Sequence, residues 1–171
     1  MSADVSTDIL IVEDHPTMRA AMRAVLEQEG YELREAGDGP AALDQISLRI
    51  PDVMFLDLHM PGVTGEEVLR QVKGDPETAG VKVIVVTAQG EEGKRTVLEL
   101  GADAYFQKPY SPLGLLQAVE DVLRPHDGGH DPQPDETDGN AAVDSGDGDG
   151  SEGSATAESD PGYDPLWPGA R

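Results

Sequence analysis

Four short patches end in side chains suited to handling a charged oxyanion. Glu13 and Asp14 follow Ile9 to Val12, Asp57 follows Val53 to Leu56, Thr87 follows Val83 to Val86, and Lys108 follows Ala104 to Gln107. Carboxylates hold hard cations and can attack phosphorus, a hydroxyl donates to an oxyanion, and an ammonium neutralises one. Each residue also has an ordinary use: a turn cap for Asp57, a solvated pair for Glu13 and Asp14, a strand terminus for Thr87, a surface charge for Lys108. All four patches, however, follow apolar runs. In an open parallel sheet, ligands bind outside the carboxyl ends of the strands, so these residues are expected to meet in one site.

The runs read as strands because they are short and nearly continuous in large apolar residues. Such strands are buried on both faces, as in a parallel sheet covered by helices. Ile9 to Val12, Val53 to Leu56 and Val81 to Val86 fit this, Tyr31 to Ala36 alternates like an edge strand, and Ala104 to Gln107 makes a fifth. Helices are expected over Pro16 to Glu29, Pro40 to Ile50, Gly65 to Asp75, Glu91 to Leu100 and Pro112 to Arg124. Thr64 to Glu67 forms a capping box, and Ser111 with Pro112 supplies an N-cap and a proline at N1. Gly30 and Gly101 stand where helices one and four should stop. Leu113, Leu116, Val119 and Leu123 are spaced to share one buried stripe. The alternation is (βα)5, which right-handed crossovers turn into an α/β doubly wound five-stranded parallel sheet with five helices.

The chain of 171 residues has a net charge of −22, divided evenly between residues 1–125 and the rest. A polyanion repels nucleic acid and anionic lipid, so neither is an expected partner. With no cysteine, thiolate chemistry and disulfides are excluded, and a metal would be held by oxygen. The start MSADVSTD is acidic where a signal peptide is basic, and no apolar run approaches membrane-spanning length, so a cytoplasmic location is expected.

Four motifs in this order and spacing carry a resemblance: Ile11-Val12-Glu13-Asp14, Asp57-Leu58-His59-Met60-Pro61-Gly62, Thr87-Ala88, and the run Gly101 to Pro109, GADAYFQKP. From about Asp8 to Arg124 the chain closely resembles the receiver domain of bacterial two-component response regulators. The resemblance implies the flavodoxin-like strand order 2-1-3-4-5. It further implies that Asp57 is the phosphorylated nucleophile, and that Glu13, Asp14, Asp57 and the backbone carbonyl of His59 hold Mg2+. Lys108 would pair with a phosphoryl oxygen, Thr87 would donate to another, and Lys108-Pro109 would be a cis peptide. Thr87 and Tyr105 would form the coupled switch, and His59 and Gln89 would set the lifetime of the phosphorylated state.

On this reading residues 1–7 are a flexible N-terminus, 8–125 the receiver domain and 126–171 a disordered acidic tail too poor in apolar residues to order itself. The expected function is that of a stand-alone response regulator. It would accept phosphate from a sensor histidine kinase and signal by phosphorylation-dependent protein binding, with no enzyme activity beyond autophosphotransfer and autodephosphorylation at Asp57. Two alternatives stand beside it: a phosphorelay intermediate exchanging phosphate with a histidine phosphotransfer protein, and an aspartyl phosphatase of the haloacid dehalogenase type. The second wants an Asp two residues after the nucleophile, where this chain has His59. Helix five, LGLLQAVEDVL, lacks the basic residues of family members that dimerise through it, so a monomer is expected. In the tail, Asp147, Asp149, Ser151 and Glu158 have calcium-loop spacing, but Glu152 replaces the required glycine. Tyr163 to Trp167 is an apolar segment able to dock on a partner or on the receiver.

Overall fold

The computed structural model describes residues 6–125. Strands β1 (Asp8–Val12), β2 (Glu32–Ala36), β3 (Val53–Asp57), β4 (Lys82–Thr87) and β5 (Ala104–Gln107) alternate with helices α1 (Pro16–Glu27), α2 (Gly39–Leu48), α3 (Gly65–Gly74), α4 (Glu91–Glu99) and α5 (Pro112–Leu123). All neighbouring strands are parallel, in the order β2-β1-β3-β4-β5. The expected fold class and strand order are found. The flexibility expected of residues 1–7 and 126–171, and the calcium spacing and apolar segment of the tail, fall outside the described residues except at two positions. Ser6 donates to the Gly30 carbonyl, and Glu32 N–H donates to Thr7.

Successive strand residues point to opposite faces, and this parity sorts the core into two slabs. Leu10, Val12, Met54, Leu56, Val83, Val85 and Tyr105 face one side, against Ile46 of α2, Val68 and Leu69 of α3 and Val97 of α4. Ile9, Ile11, Val53, Phe55, Ile84, Val86 and Phe106 face the other, against Met22 and Leu26 of α1 and Leu115, Ala118 and Val119 of α5.

Each helix ends one or two residues before the sequence pattern does. At α1 and α4 the chain turns off through Gly30 and Gly101, whose φ angles of 78° and 92° suit glycine. Thr64 and Glu67 form the reciprocal capping box of α3, and the Ser111 hydroxyl accepts from Gly114 N–H at the start of α5. The stripe expected on α5 is corrected. Its buried positions are Gly114, Leu115, Ala118 and Val119, Leu116 is partly covered, and Leu113 and Leu123 are exposed. The apolar residues of this helix together cover more than half of its circumference, so spacing alone admitted more than one face, and contact with α1 and β4 selects the one used.

At the amino edge of the sheet Asp8 is a buried ionic hub. Its carboxylate accepts from Arg34 at 2.7 Å and from Arg49 at 2.8 Å, and its backbone N–H donates to Asp52. Burial pushes the Asp8 carboxyl up, but hydrogen bonds and charge from Arg34 and Arg49 outweigh that and hold it below its ordinary value of 3.8. A depressed folded-state pKa contributes stability that is present above the unfolded value and lost as pH falls through the folded one. Asp8→Asn is therefore expected to cost roughly 3 kcal/mol at neutral pH, because one partner of a largely buried pair is lost. The gap between wild type and variant should narrow below about pH 4. Denaturant midpoints across that range measure both; a gap that stays constant to pH 2 would contradict the assignment.

Candidate functional site

Asp57 and Thr87 occupy the last residues of β3 and β4, still inside the ladder, where Asp57 pairs with Val86 and Thr87 with Gln107. Both side chains therefore stand on the sheet itself, one step earlier than the apolar runs alone suggest. Glu13 follows β1 directly, its N–H donating to the Ala36 carbonyl at 3.1 Å; Lys108 N–H donates to the Thr87 carbonyl at 2.8 Å. These bonds prolong the sheet just far enough to fix both backbones.

Side-chain parity then decides who meets whom. Glu13, Asp57 and Lys108 share the phase of Ile11, Phe55 and Phe106, the face of α1 and α5. The Lys108 ammonium reaches Glu13 Oε2 at 2.9 Å and Asp57 Oδ2 at 3.3 Å, and it lies 3.8 Å from Met18 Sδ. The Lys108-Pro109 peptide is cis. Glu13 and Asp57 are almost fully buried, whereas Asp14 is exposed at the rim. Oxygens of Glu13, Asp14 and Asp57 all lie within 4.8 Å of one another.

Two buried carboxylates share one ammonium. Burial, joined by the charge of Asp57, pushes the Glu13 carboxyl above its ordinary value despite the hydrogen bond from Lys108. Burial alone would lower Lys108, but Glu13 and Asp57 outweigh it and push it up, so it stays charged. The cup retains an excess of negative charge. Its donors are hard oxygens, a set matched to a divalent cation such as Mg2+, whose octahedral ligand oxygens at about 2.1 Å sit roughly 3 to 4 Å apart. The residues present fit that ion.

Thr87 is fully buried and lies on the opposite parity, that of Val85 and Tyr105. Its hydroxyl sits 3.3 Å from His59 Nδ1 and accepts from Gln89 N–H at 3.2 Å, while the Gln89 amide lies 3.3 Å from His59 Nε2. The His59 imidazole thus spans from Thr87 to Gln89 across the opening, and His59 N–H donates to Asp57 Oδ1 at 3.1 Å. Tyr105 is buried, with its hydroxyl donating to the carbonyls of Gln89 and Gly90 just before α4.

Two contributors were not assigned to the site from the sequence. Gly65, noted only as part of a cap, packs so closely that a Cβ there would lie 2.1 Å from the Asp57 carbonyl oxygen and 2.7 Å from Leu58 Cα. Its N–H donates to the Leu58 carbonyl at 3.1 Å. The signal available was a glycine inside a helix start, where the cap needs none. Arg19 donates to the Glu13 carbonyl at 2.8 Å. An arginine one helical turn into α1 carries no such signal.

Residues 9–120 match the model of the response regulator receiver domain. Among curated proteins, the sensory transduction protein RegX3 of Mycolicibacterium smegmatis is 40% identical over 119 residues, covering 69% of this chain and 51% of that protein. The phosphate regulon transcriptional regulatory protein PhoB of Pseudomonas aeruginosa is 40% identical over 121 residues, 70% of this chain and 53% of the relative. The chain spans about half the length of these curated relatives. Among solved structures, Vibrio cholerae chemotaxis protein CheY4 superposes with a TM-score of 0.66 at 28% identity, covering 70% of this chain and all of that one. A CheY-like receiver domain protein from Methanospirillum hungatei gives 0.64 at 31% identity, covering 68% and 92%. A strand-end acid cup on a 2-1-3-4-5 sheet and a family match across most of the described residues lead to the same place: the chain belongs to the response regulator receiver domain family.

Proposed function

We propose that Asp57 accepts a phosphoryl group from a sensor histidine kinase or a histidine phosphotransfer protein, and that the phosphorylated form signals by binding a downstream protein. The observation that carries this is the Lys108 ammonium bridging Glu13 and Asp57 within a cluster of three acids. Glu13, Asp14, Asp57 and the His59 carbonyl would hold Mg2+. When bound, the ion supplies positive charge that offsets the negative charge gathering on the transferred group.

The chain's own groups do the rest. An Asp57 carboxylate oxygen forms the new bond to phosphorus as the bond from phosphorus to the donor nitrogen breaks, and the donor imidazole leaves with its electron pair. Lys108 exchanges a carboxylate partner for a phosphoryl oxygen, so the ammonium is already in place. The Thr87 hydroxyl turns from His59 toward another phosphoryl oxygen. Tyr105, tied to the two carbonyls before α4, couples that turn to α4, β5 and α5 as a two-state element. His59 and Gln89 meter water at the opening and so set the lifetime of the acyl phosphate. The activity is self-modification and not turnover of a substrate.

Net charge of −22 favours a protein target over nucleic acid. PhoB is by name a transcriptional regulatory protein, and this chain matches 53% of it. The described residues have no helix long and apolar enough to cross a membrane. We place the protein in the cytoplasm as a monomer, with the receiver at residues 8–125.

The test is intact-mass analysis with a small acyl phosphate donor. Wild type should gain one phosphoryl group with Mg2+ and none with excess EDTA, and peptide mapping should place it on Asp57; label on another residue would overturn the reading. In the same assay, His59→Ala and Gln89→Ala should each change the half-life of the label several-fold. Half-lives within experimental scatter of wild type would remove both from the gate.

A further inference from the structure

We propose that Arg19 and Glu35 form a clamp that positions the Glu13-Asp14 loop for cation binding; the inference rests on the phosphoacceptor reading above. The Arg19 guanidinium makes two directed bonds: Nη1 to the Glu13 carbonyl at 2.8 Å and Nε to Glu35 Oε2 at 3.1 Å. Glu35 takes a second cation, accepting from Arg23 Nη1 at 2.7 Å on its other oxygen. It lies in β2, opposite Ile11 of β1, so it is fixed by the sheet and not by the loop it serves.

The consequence is that every polar group of Glu13 has a directed partner. Its N–H goes to Ala36, its carbonyl to Arg19, Oε1 accepts from His15 N–H at 3.2 Å, and Oε2 pairs with Lys108. Removing Arg19 frees one corner of that frame at the point where the chain leaves β1 and turns toward Asp14. Arg23 and Arg19 together hold the Glu35 carboxyl below its ordinary value against the opposing effect of burial, so the clamp is charged at neutral pH. The side-chain bonds of both arginines go to the Glu13 carbonyl and to Glu35 and not to the Asp57 carboxylate. Arg19 is therefore a positioning residue, and it acts on affinity for the ion through the geometry of Glu13.

Charge and geometry predict opposite signs, which makes the idea easy to sink. A cation near an acid cup disfavours a second cation, so if charge alone mattered, Arg19→Gln would tighten Mg2+ binding. If the clamp positions the loop, Arg19→Gln weakens it, by about tenfold, the lower end of what loss of a partner behind a ligand costs. Calorimetric titration of the full chain with MgCl2 reads this without any phosphodonor. Labelling at limiting Mg2+ should fall further than labelling at saturating Mg2+, because the defect lies in affinity for the ion. Glu35→Gln should weaken binding less, and adding it to Arg19→Gln should weaken binding no further, as expected of residues acting through one contact. Asp8→Asn, at the far edge of the sheet, serves as the destabilised control and should bind Mg2+ like wild type. Unchanged or tighter binding in Arg19→Gln, or equal weakening in the Asp8→Asn control, overturns the clamp. Should Arg19→Gln not fold, Glu35→Gln alone decides, since it leaves both arginines in place. A wild-type chain that binds no Mg2+ sinks the phosphoacceptor reading and the clamp together, whereas wild-type binding with an indifferent Arg19→Gln sinks only the clamp.

Discussion

Asp57→Asn is expected to abolish labelling by a small acyl phosphate donor, a fall of about a thousandfold or more, equivalent to at least ~4 kcal/mol of transition-state stabilisation. An amide oxygen is a poor nucleophile, so the loss is chemical. The substitution preserves shape, and an Asn oxygen can still accept the His59 N–H that Asp57 Oδ1 accepts at 3.1 Å. It also removes a negative charge beside buried Glu13, whose carboxyl is raised by burial and by Asp57. The folded state should therefore persist, with a thermal midpoint in metal-free buffer no lower than wild type. The pair of readouts separates chemistry from folding. Labelling at the wild-type rate would remove Asp57 from the mechanism, and unfolding of the variant would show that the cup is held together by that carboxylate.

The second large effect is expected at a residue with no chemistry of its own. A methyl group at Gly65 would stand 2.1 Å from the Asp57 carbonyl oxygen and 2.9 Å from its carbonyl carbon. Both are backbone atoms of a central strand, so neither can swing aside as a side chain would. Gly65→Ala must move the start of α3 away from β3 or bend the end of β3. Overpacking of this kind costs about 1 to 3 kcal/mol, and backbone on both sides places this case at the upper end. The same shift displaces the phosphoacceptor, and misplacement by about 1 Å can cost a hundredfold in rate. Chemical denaturation and labelling rate should thus fall together. Wild-type stability with a wild-type labelling rate would show that the close approach is relaxed in solution. At Gly93 a new Cβ would lie 2.6 Å from Gln89 Cβ, which is fixed to the backbone although the amide end can swing away, so Gly93→Ala must also shift the turn before α4.

What the sequence disclosed, and what it withheld, follows from the range of each interaction. Continuous apolar runs mark strands buried on both faces, and this local signal located β1, β3 and β4 to within a residue. The convergence of Glu13, Asp57 and Lys108 was legible because strand ends in a parallel sheet share one edge, whatever the separation in sequence. Strand order came from the resemblance to a family and not from any residue pattern. Three features stayed hidden for three reasons. The apolar residues from Leu113 to Leu123 cover more than half of the circumference of α5, so hydropathy could not choose its buried face. The contact of Gly65 with Asp57 is a matter of backbone distance, which composition does not encode. The ion pairs of Asp8 and of Arg19 join residues 16 to 41 positions apart, and charged side chains at such separations have too many combinations to pair by inspection.

The two-sided phase of the strands has a consequence for how this protein can change. Glu13, Asp57 and Lys108 project to the side of α1 and α5, whereas Thr87 and Tyr105 project to the side of α4. One leaf of backbone serves as a bulkhead between the chamber where phosphate would arrive and the compartment where its arrival would be felt, with Thr87 as the hatch. Deleting a single residue within β5 would turn Lys108 away from the acids and aim its neighbours at them. On the proposed reading, substitutions on the α4 side beyond Thr87 would alter what is announced while leaving capture intact.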